Sequence, residues 1–266
     1  MSYNTIRLFD LDFISAENHA DFFDDLMDYR NNPDYGHKKP FVITPNADQV
    51  VKLDQPQHHA LKEQLSQALF ILPDGQPIIL FSKLARKPLK NRLTGSDLFP
   101  LLWQAAQKNR QRILVIVSEE AIGVKLKQDY DNIMYYTPPF FSVDSPLFDK
   151  VCLENFKIIK DFKPEYVIIG LGFPKQEFLG LALYQKLKED NIPNPLFLFL
   201  GASADFYVGT KKRAPLLLQK MGLEWLHRLV SEPKVKWRRY ILGIGPLFML
   251  YMKELRKEFS KKKPSI

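Results

Sequence analysis

Asp74 stands between Pro73 and Gly75, directly after the apolar run Leu69-Phe-Ile-Leu72. A carboxylate held on a tight turn after a buried strand can take the proton from an attacking hydroxyl. The same tripeptide also serves ordinary turns, where the aspartate bonds its own backbone. A second stretch with chemical potential runs from Tyr166 to Gln185. Gly170 and Gly172 let the backbone turn sharply, and Pro174 suits the first turn of a helix, where a missing N–H leaves nothing unpaired. Lys175, Gln176 and Glu177 fall in that turn. Free N–H groups and the helix dipole favour an anion such as a phosphate there. Gln176 would add an amide donor and Lys175 a charge. A glycine turn without the full dinucleotide-binding spacing is a weak signal alone. Arg92 offers a guanidinium suited to oxyanions, as an ordinary surface arginine also would.

The elements that must position these residues alternate along the chain. Short apolar runs predict strands at Ile6–Phe9, Phe41–Thr44, Leu69–Leu72, Arg112–Val117, Ile133–Tyr136, Tyr166–Ile169 and Leu196–Leu200. Helical patterns separate them. One is capped by Ser15 and runs to about Tyr29, and another is capped by Ser96 or Asp97 and runs to Lys108. Strands spaced by helices predict an α/β fold, a Rossmann-like parallel sheet with helices on both faces. Ligands of such sheets bind beyond the carboxyl ends of the strands. Thr44 and Asn46, Asp74 and Gly75, Gly170 to Glu177, and Gly201 to Asp205 each follow a predicted strand, so they should gather along one rim. Any one of these groups is ordinary turn and cap chemistry; four together argue for a site.

Of the 266 residues, 45% are hydrophobic, enough for a sizeable core. The single Cys152 can form no internal disulfide and reads as a small core residue. No Cys/His cluster has metal-ligand spacing, so neither metal nor cofactor is expected. The N-terminus carries no apolar leader, which predicts a cytoplasmic protein. The net charge of +8 is confined to Lys234–Ile266, which holds ten basic and two acidic residues. Within it, the twelve apolar or small residues from Tyr240 to Tyr251 are too few to cross a bilayer and are broken by Gly243, Gly245 and Pro246. Basic residues flank the run, and Trp237, Tyr240 and Tyr251 suit headgroup depth. This pattern predicts residues 210–266 as a helical, membrane-associating appendage on a catalytic domain of residues 1–209. The alternative is a terminal helix docked on its own domain or on a partner subunit. A neutral body argues against a nucleic-acid partner.

In order along the chain stand Thr44-Pro-Asn46, Pro73-Asp-Gly75, Arg92 with Thr94-Gly-Ser-Asp97, Gly170-Leu-Gly-Phe-Pro-Lys-Gln-Glu177 and Gly201 to Gly209. Arg213-Ala-Pro215, Gly222 to Leu229, Glu232-Pro233 and Trp237-Arg-Arg-Tyr240 follow. This ordered set resembles the WecG/TagA/CpsF family of bacterial glycosyltransferases over nearly the whole chain. The resemblance implies an inverting, metal-independent transfer from a UDP-sugar to an undecaprenyl-diphosphate-linked saccharide, in synthesis of capsule, exopolysaccharide or teichoic-acid-type polymers. It implies Asp74 as base and site positions at Thr44, Asn46, Arg92 and Gln176; Gly75, Gly95, Gly170, Gly172, Pro174, Lys175, Glu177 and Asp205 complete the expected substrate site. It implies that the C-terminal segment covers the site and brings Arg213, Arg228, Arg238 and Arg239 to the acceptor diphosphate. The protein would then sit at the inner face of the cell membrane, and the sequence is silent on a homo-oligomer. Ser118-Glu119-Glu120 where relatives carry Gly-Gly, Gln76-Pro77 after Asp74-Gly75, and Phe178 where Lys is common all depart from the pattern and leave the donor sugar open. A non-catalytic scaffold of a polysaccharide complex and a basic nucleic-acid binder are the competing readings.

Overall fold

Four strands of this chain are four-residue apolar runs with every residue buried, which only a sheet covered on both faces can accommodate. The computed structural model describes residues 3–32, 35–215, 218 and 245–257. It shows one eight-stranded sheet. The strands are β1 (Asn4–Leu8), β2 (Leu11–Ser15), β3 (Lys39–Ile43), β4 (Ala68–Ile71), β5 (Ile113–Ile116), β6 (Ile133–Tyr136), β7 (Tyr166–Ile169) and β8 (Leu196–Phe199). Their order across the sheet is β1-β2-β4-β3-β8-β7-β5-β6, and all pairings are parallel except β1 with β2. The predicted α/β parallel sheet is therefore present, with an antiparallel hairpin added at one edge.

That hairpin corrects the expected helix from Ser15 to Tyr29. Ser15 ends β2, and α1 spans only Ala20–Met27. Its entry is held by the Asp21 carboxylate, which accepts from the Glu17 and Asn18 amides at 2.8 and 3.3 Å. The hairpin turns on Phe9 and Asp10, both at positive φ (55° and 62°).

The other helices are α2 (Ala47–Leu53), α3 (His59–Ser66), α4 (Gln76–Leu84), α5 (Gly95–Lys108), α6 (Glu120–Asp129), α7 (Pro146–Phe162), α8 (Lys175–Glu189) and α9 (Ser203–Tyr207). A further helix, α10, covers residues 245–257. Alternating residues of each strand enter two separate cores. Phe41, Ile43, Ile116, Ile169 and Phe199 face one, which α2, α3, α4, α7, α8 and Leu250 of α10 cover. Val42, Val115, Ile168 and Leu198 face the other, under α1, α5, α6 and α9. Cys152 is buried in the first core, and burial pushes its thiol pKa up.

Helix α10 lies on the body. Tyr251 stacks on Phe81 with ring centroids 3.9 Å apart and donates from its hydroxyl to the Pro77 carbonyl at 3.0 Å. Lys253 pairs with Asp54 at 2.8 Å, and Lys257 with Asp10 at 2.9 Å. Among the described residues no helix is long and apolar enough to cross a membrane. Trp237, Tyr240, Arg228, Arg238 and Arg239 lie outside the described residues.

Candidate active site

Strands β4, β3, β8 and β7 are consecutive neighbours in the sheet. Their four carboxyl-end loops therefore stand side by side, over three strand spacings of ~4.8 Å, or roughly 14 Å. The rim expected from sequence is thus assembled by strand order alone.

After β4, Pro73-Asp74-Gly75 is tied on two sides. The Asp74 amide donates to the Pro45 carbonyl at 3.3 Å, and the Leu93 amide donates to the Pro73 carbonyl at 2.9 Å. The second bond places Arg92 beside the Asp74 turn. Gly75 has φ +102°, a conformation side chains rarely adopt, and immediately precedes α4. A Cβ on Gly75 would lie 4.0 Å from Asn46 Cβ, so the β3 and β4 loops touch.

After β3, Asn46 caps α2. Its side-chain oxygen accepts from the Gln49 amide at 3.2 Å, and Gln49 Oε1 accepts from the Asn46 amide at 2.8 Å. This reciprocal box occupies Asn46 Oδ1 and leaves the NH₂ end outside the cap. Thr44 is buried, and its hydroxyl donates to the Phe199 carbonyl at 3.4 Å. Helix α5 starts against the same loops: a Cβ on Gly95 would lie 3.0 Å from Ser203 Oγ and 3.3 Å from Thr44 Oγ1. Thr94 is its cap, accepting from the Asp97 amide at 3.1 Å, in place of the Ser96 or Asp97 expected from sequence. The extended backbone at Thr94 (φ −96°, ψ 150°) decides this, because only the residue just before the first turn can aim its hydroxyl back at the turn.

After β7 and β8 the chain passes through Gly170, Gly172 and Gly201. The Gly170 amide donates to the Ile116 carbonyl at 2.8 Å. A Cβ on Gly170 would lie 2.9 Å from the Gly201 carbonyl oxygen, so only glycine fits that approach. Pro174 is the residue before α8, one position earlier than expected. Gln176 is 2% exposed, and its Oε1 accepts from both the Gly172 and Gly201 amides at 3.2 Å. Its Nε2 donates to Glu177 Oε1 at 2.9 Å. Gln176 therefore fastens the β7 loop to the β8 loop, whereas the sequence suggested an amide turned to a ligand. Glu177 is buried, and desolvation raises its pKa to about 7 despite the Gln176 bond. Lys175 sits at the surface of this turn with Nζ 4.1 Å over the Phe140 ring, and Phe140 is 91% exposed. The proline-rich segment around Phe140 gave no sequence signal for a place at the rim beyond its position after β6.

Asp205, buried on α9, pairs with Lys211 at 2.5 Å. Arg213 grips the Asp97 carboxylate with both terminal nitrogens, at 2.6 and 3.2 Å. Burial works to raise the Asp97 pKa, but the Arg213 and Thr94 bonds outweigh it and hold the group below the usual carboxylate range. The sequence offered Asp97 as a helix cap and not as the partner of Arg213. Its signal was the spacing to Thr94. Among the described residues no group of His, Cys, Asp or Glu is placed to hold a metal ion.

The family model described as "Glycosyl transferase WecG/TagA/CpsF family" matches residues 8–262. Two relatives carry the name N-acetylglucosaminyldiphosphoundecaprenol N-acetyl-beta-D-mannosaminyltransferase. The one from Bacillus spizizenii strain W23 is 31% identical over 212 residues, covering 77% of this chain and 76% of the relative. The one from Staphylococcus aureus strain MW2 is 28% identical over 228 residues, covering 84% of this chain and 83% of the relative. A match that starts within β1 and continues beyond α10 takes in every loop of the rim, and the chain accordingly belongs to the glycosyl transferase WecG/TagA/CpsF family.

Proposed function

We propose that this glycosyltransferase moves an N-acetylhexosamine, in the first instance N-acetylmannosamine, from a UDP-sugar to a polyprenyl-diphosphate-linked N-acetylglucosamine in cell-surface polymer synthesis. The relatives' names supply the sugar, its β linkage and the acceptor. The observation that carries the reading for this chain is the convergence of four loops on adjacent strand ends, with a carboxylate turn at β4 and an anion-favouring helix start at β7. In this reading the diphosphate of the donor lies toward α8 and Arg92, and the acceptor hydroxyl lies at Asp74. Asp74 takes the hydroxyl proton while the oxygen attacks the anomeric carbon, and the sugar–phosphate bond breaks with its electrons passing to UDP. Attack opposite the leaving group turns an α-linked donor into a β product. Helix dipole and guanidinium charge stabilise the departing diphosphate without a metal. Arg213, released from Asp97, or Arg228, Arg238 and Arg239, would meet the acceptor diphosphate. Exposed Phe248, Met249 and Met252 on α10, beside exposed Leu80 and Leu84 on α4, fit peripheral contact with the inner membrane face.

The test is transfer from UDP-N-acetylmannosamine to a short-chain polyprenyl-diphosphate N-acetylglucosamine in EDTA, with Asp74→Asn beside wild type. Turnover should fall about 10²- to 10⁴-fold in the variant while nucleotide binding persists. Full turnover in Asp74→Asn would remove Asp74 from the chemistry.

A further inference from the structure

Glu177 directly follows the residue that fastens the glycines of the β7 and β8 loops, and reaches them only through it: Gln176 Oε1 accepts from the Gly172 and Gly201 amides, and Glu177 Oε1 accepts from Gln176 Nε2. This order matters because a glutamine amide has two ends of nearly equal shape. If Gln176 flipped, its NH₂ would face two N–H donors and both bonds would be lost. The acceptor at Glu177 is what fixes the orientation. The other carboxyl oxygen, Oε2, is buried and has no hydrogen-bond partner among the described residues. A buried carboxylate with one oxygen unsatisfied is costly as an anion and far less so as the neutral acid, whose Oε1 still accepts from Gln176.

The charges around it do not change that balance. On its own helix Lys175 lies over Phe140 and Phe141. On the adjoining segments His58 faces Phe173 and Phe178, Lys52 faces Phe173, and Asp205 is held by Lys211. Nearer the other end of α8, Lys186 lies over the Phe156 ring of α7, away from the first turn. Strands β7 and β8 bring no carboxylate or cation. Only burial, Gln176 and its own backbone act on Glu177.

We propose that Glu177 is a positioning residue for the donor's diphosphate, working as the neutral acid: it orients Gln176, Gln176 holds the two glycine loops, and ionised Glu177 opposes the incoming anion. The proposal rests on the reading that a nucleotide sugar binds at these loops. Ionisation puts a negative charge in the first turn of α8, two residues past the helix start that the diphosphate would approach. Nucleotide-sugar affinity therefore falls as pH rises through the Glu177 titration near neutrality. If only the neutral form binds, the neutral fraction drops about tenfold between pH 6 and pH 8, and affinity drops with it.

The experiment is titration calorimetry of full-length protein with UDP-N-acetylmannosamine from pH 6 to pH 8. The diphosphate diester of this ligand does not titrate in that range, so a slope belongs to the protein. Wild type should lose about tenfold in affinity and take up a proton on binding, read from buffers of different ionisation heat. Glu177→Gln keeps an acceptor for Gln176 and cannot ionise, and should bind with a flat profile and no proton uptake. Glu177→Leu removes the acceptor and should raise the donor KM about tenfold with a smaller effect on kcat, the loss being restored in Glu177→Gln. A Glu177→Gln profile that slopes as wild type does, or a flat wild-type profile, would overturn the proposal and leave the nucleotide site standing. Absence of donor binding to wild type at every pH would overturn that site and the proposal together. Should Glu177→Leu fail to fold, the comparison of wild type with Glu177→Gln decides alone.

Discussion

At the scale of single residues, the rim separates groups that hold the loops from groups left to act. Gln176, Thr44 and the Oδ1 of Asn46 are engaged in holding. Composition alone could not make that distinction, because an amide that bridges two backbone N–H groups and one that grips a phosphate are the same residue in the same turn. Only the approach of Gly201 to Gly170, set by strand pairing across the sheet, brings both N–H groups within reach of one oxygen. Glu177 gives a stability prediction that needs no ligand. Its folded pKa, about 7, lies above the ordinary value of 4.5, so the folded state binds the proton more tightly. Its contribution to stability is fully present below pH 4.5 and is lost as pH rises to about 7. Urea midpoints for wild type should therefore fall relative to Glu177→Gln across that window and run parallel above it. The gap should reach on the order of 3 kcal/mol. Parallel curves throughout would mean that Glu177 ionises freely in the folded state.

At the scale of elements, short buried strands were legible, and turns without glycine and the caps of helices were not. Runs such as Tyr166-Val-Ile-Ile169 and Leu196-Phe-Leu-Phe199 can be little else than buried strands when helices flank them. Strand β2 escaped because its hairpin turns on Phe9-Asp10, which lacks the Asn-Gly or Asp-Gly pair that marks such turns. Ser15 then passed for a cap. Where three hydroxyl or carboxylate candidates stand within four residues, as from Thr94 to Asp97, sequence cannot choose among them, and backbone geometry does. The cap of α2 is testable at this scale. Asn46→Ala removes one half of a reciprocal box and should cost about 1 kcal/mol in chemical denaturation. Asn46→Asp keeps the oxygen and should preserve that stability; if donor KM rises in Asn46→Asp all the same, the NH₂ end contacts the substrate.

At the scale of the whole molecule, the sheet order was beyond sequence. Nothing in one chain's residues states that β8 inserts between β3 and β7, yet that insertion is what makes the four loops neighbours. Charge asymmetry suggested a separate C-terminal appendage, and part of the apolar surface of that segment lies on the body. Tyr251 stacks on Phe81 and lies 5.7 Å from Phe9. Tyr251→Ala should therefore loosen α10, read as faster amide exchange over 245–257, with the melting of the sheet little altered. The ion pairs to Asp10 and Asp54 are half-exposed and each contribute ~0–1 kcal/mol, so raising salt to 1 M should speed that exchange far less than the aromatic substitution. An equal effect of salt would assign the docking to charge.

The same contacts join residues far apart in the order of synthesis. Asp10 is made early and its partner Lys257 is 247 positions later. During translation the Phe9–Phe81 surface stays bare until α10 has left the ribosome, a wait of some tens of seconds at bacterial elongation rates of ~5–20 residues per second. A nascent chain thus exposes a stacked aromatic face to chaperones for most of its production, and a ribosome stalled before α10 would release a sheet already formed but still adhesive.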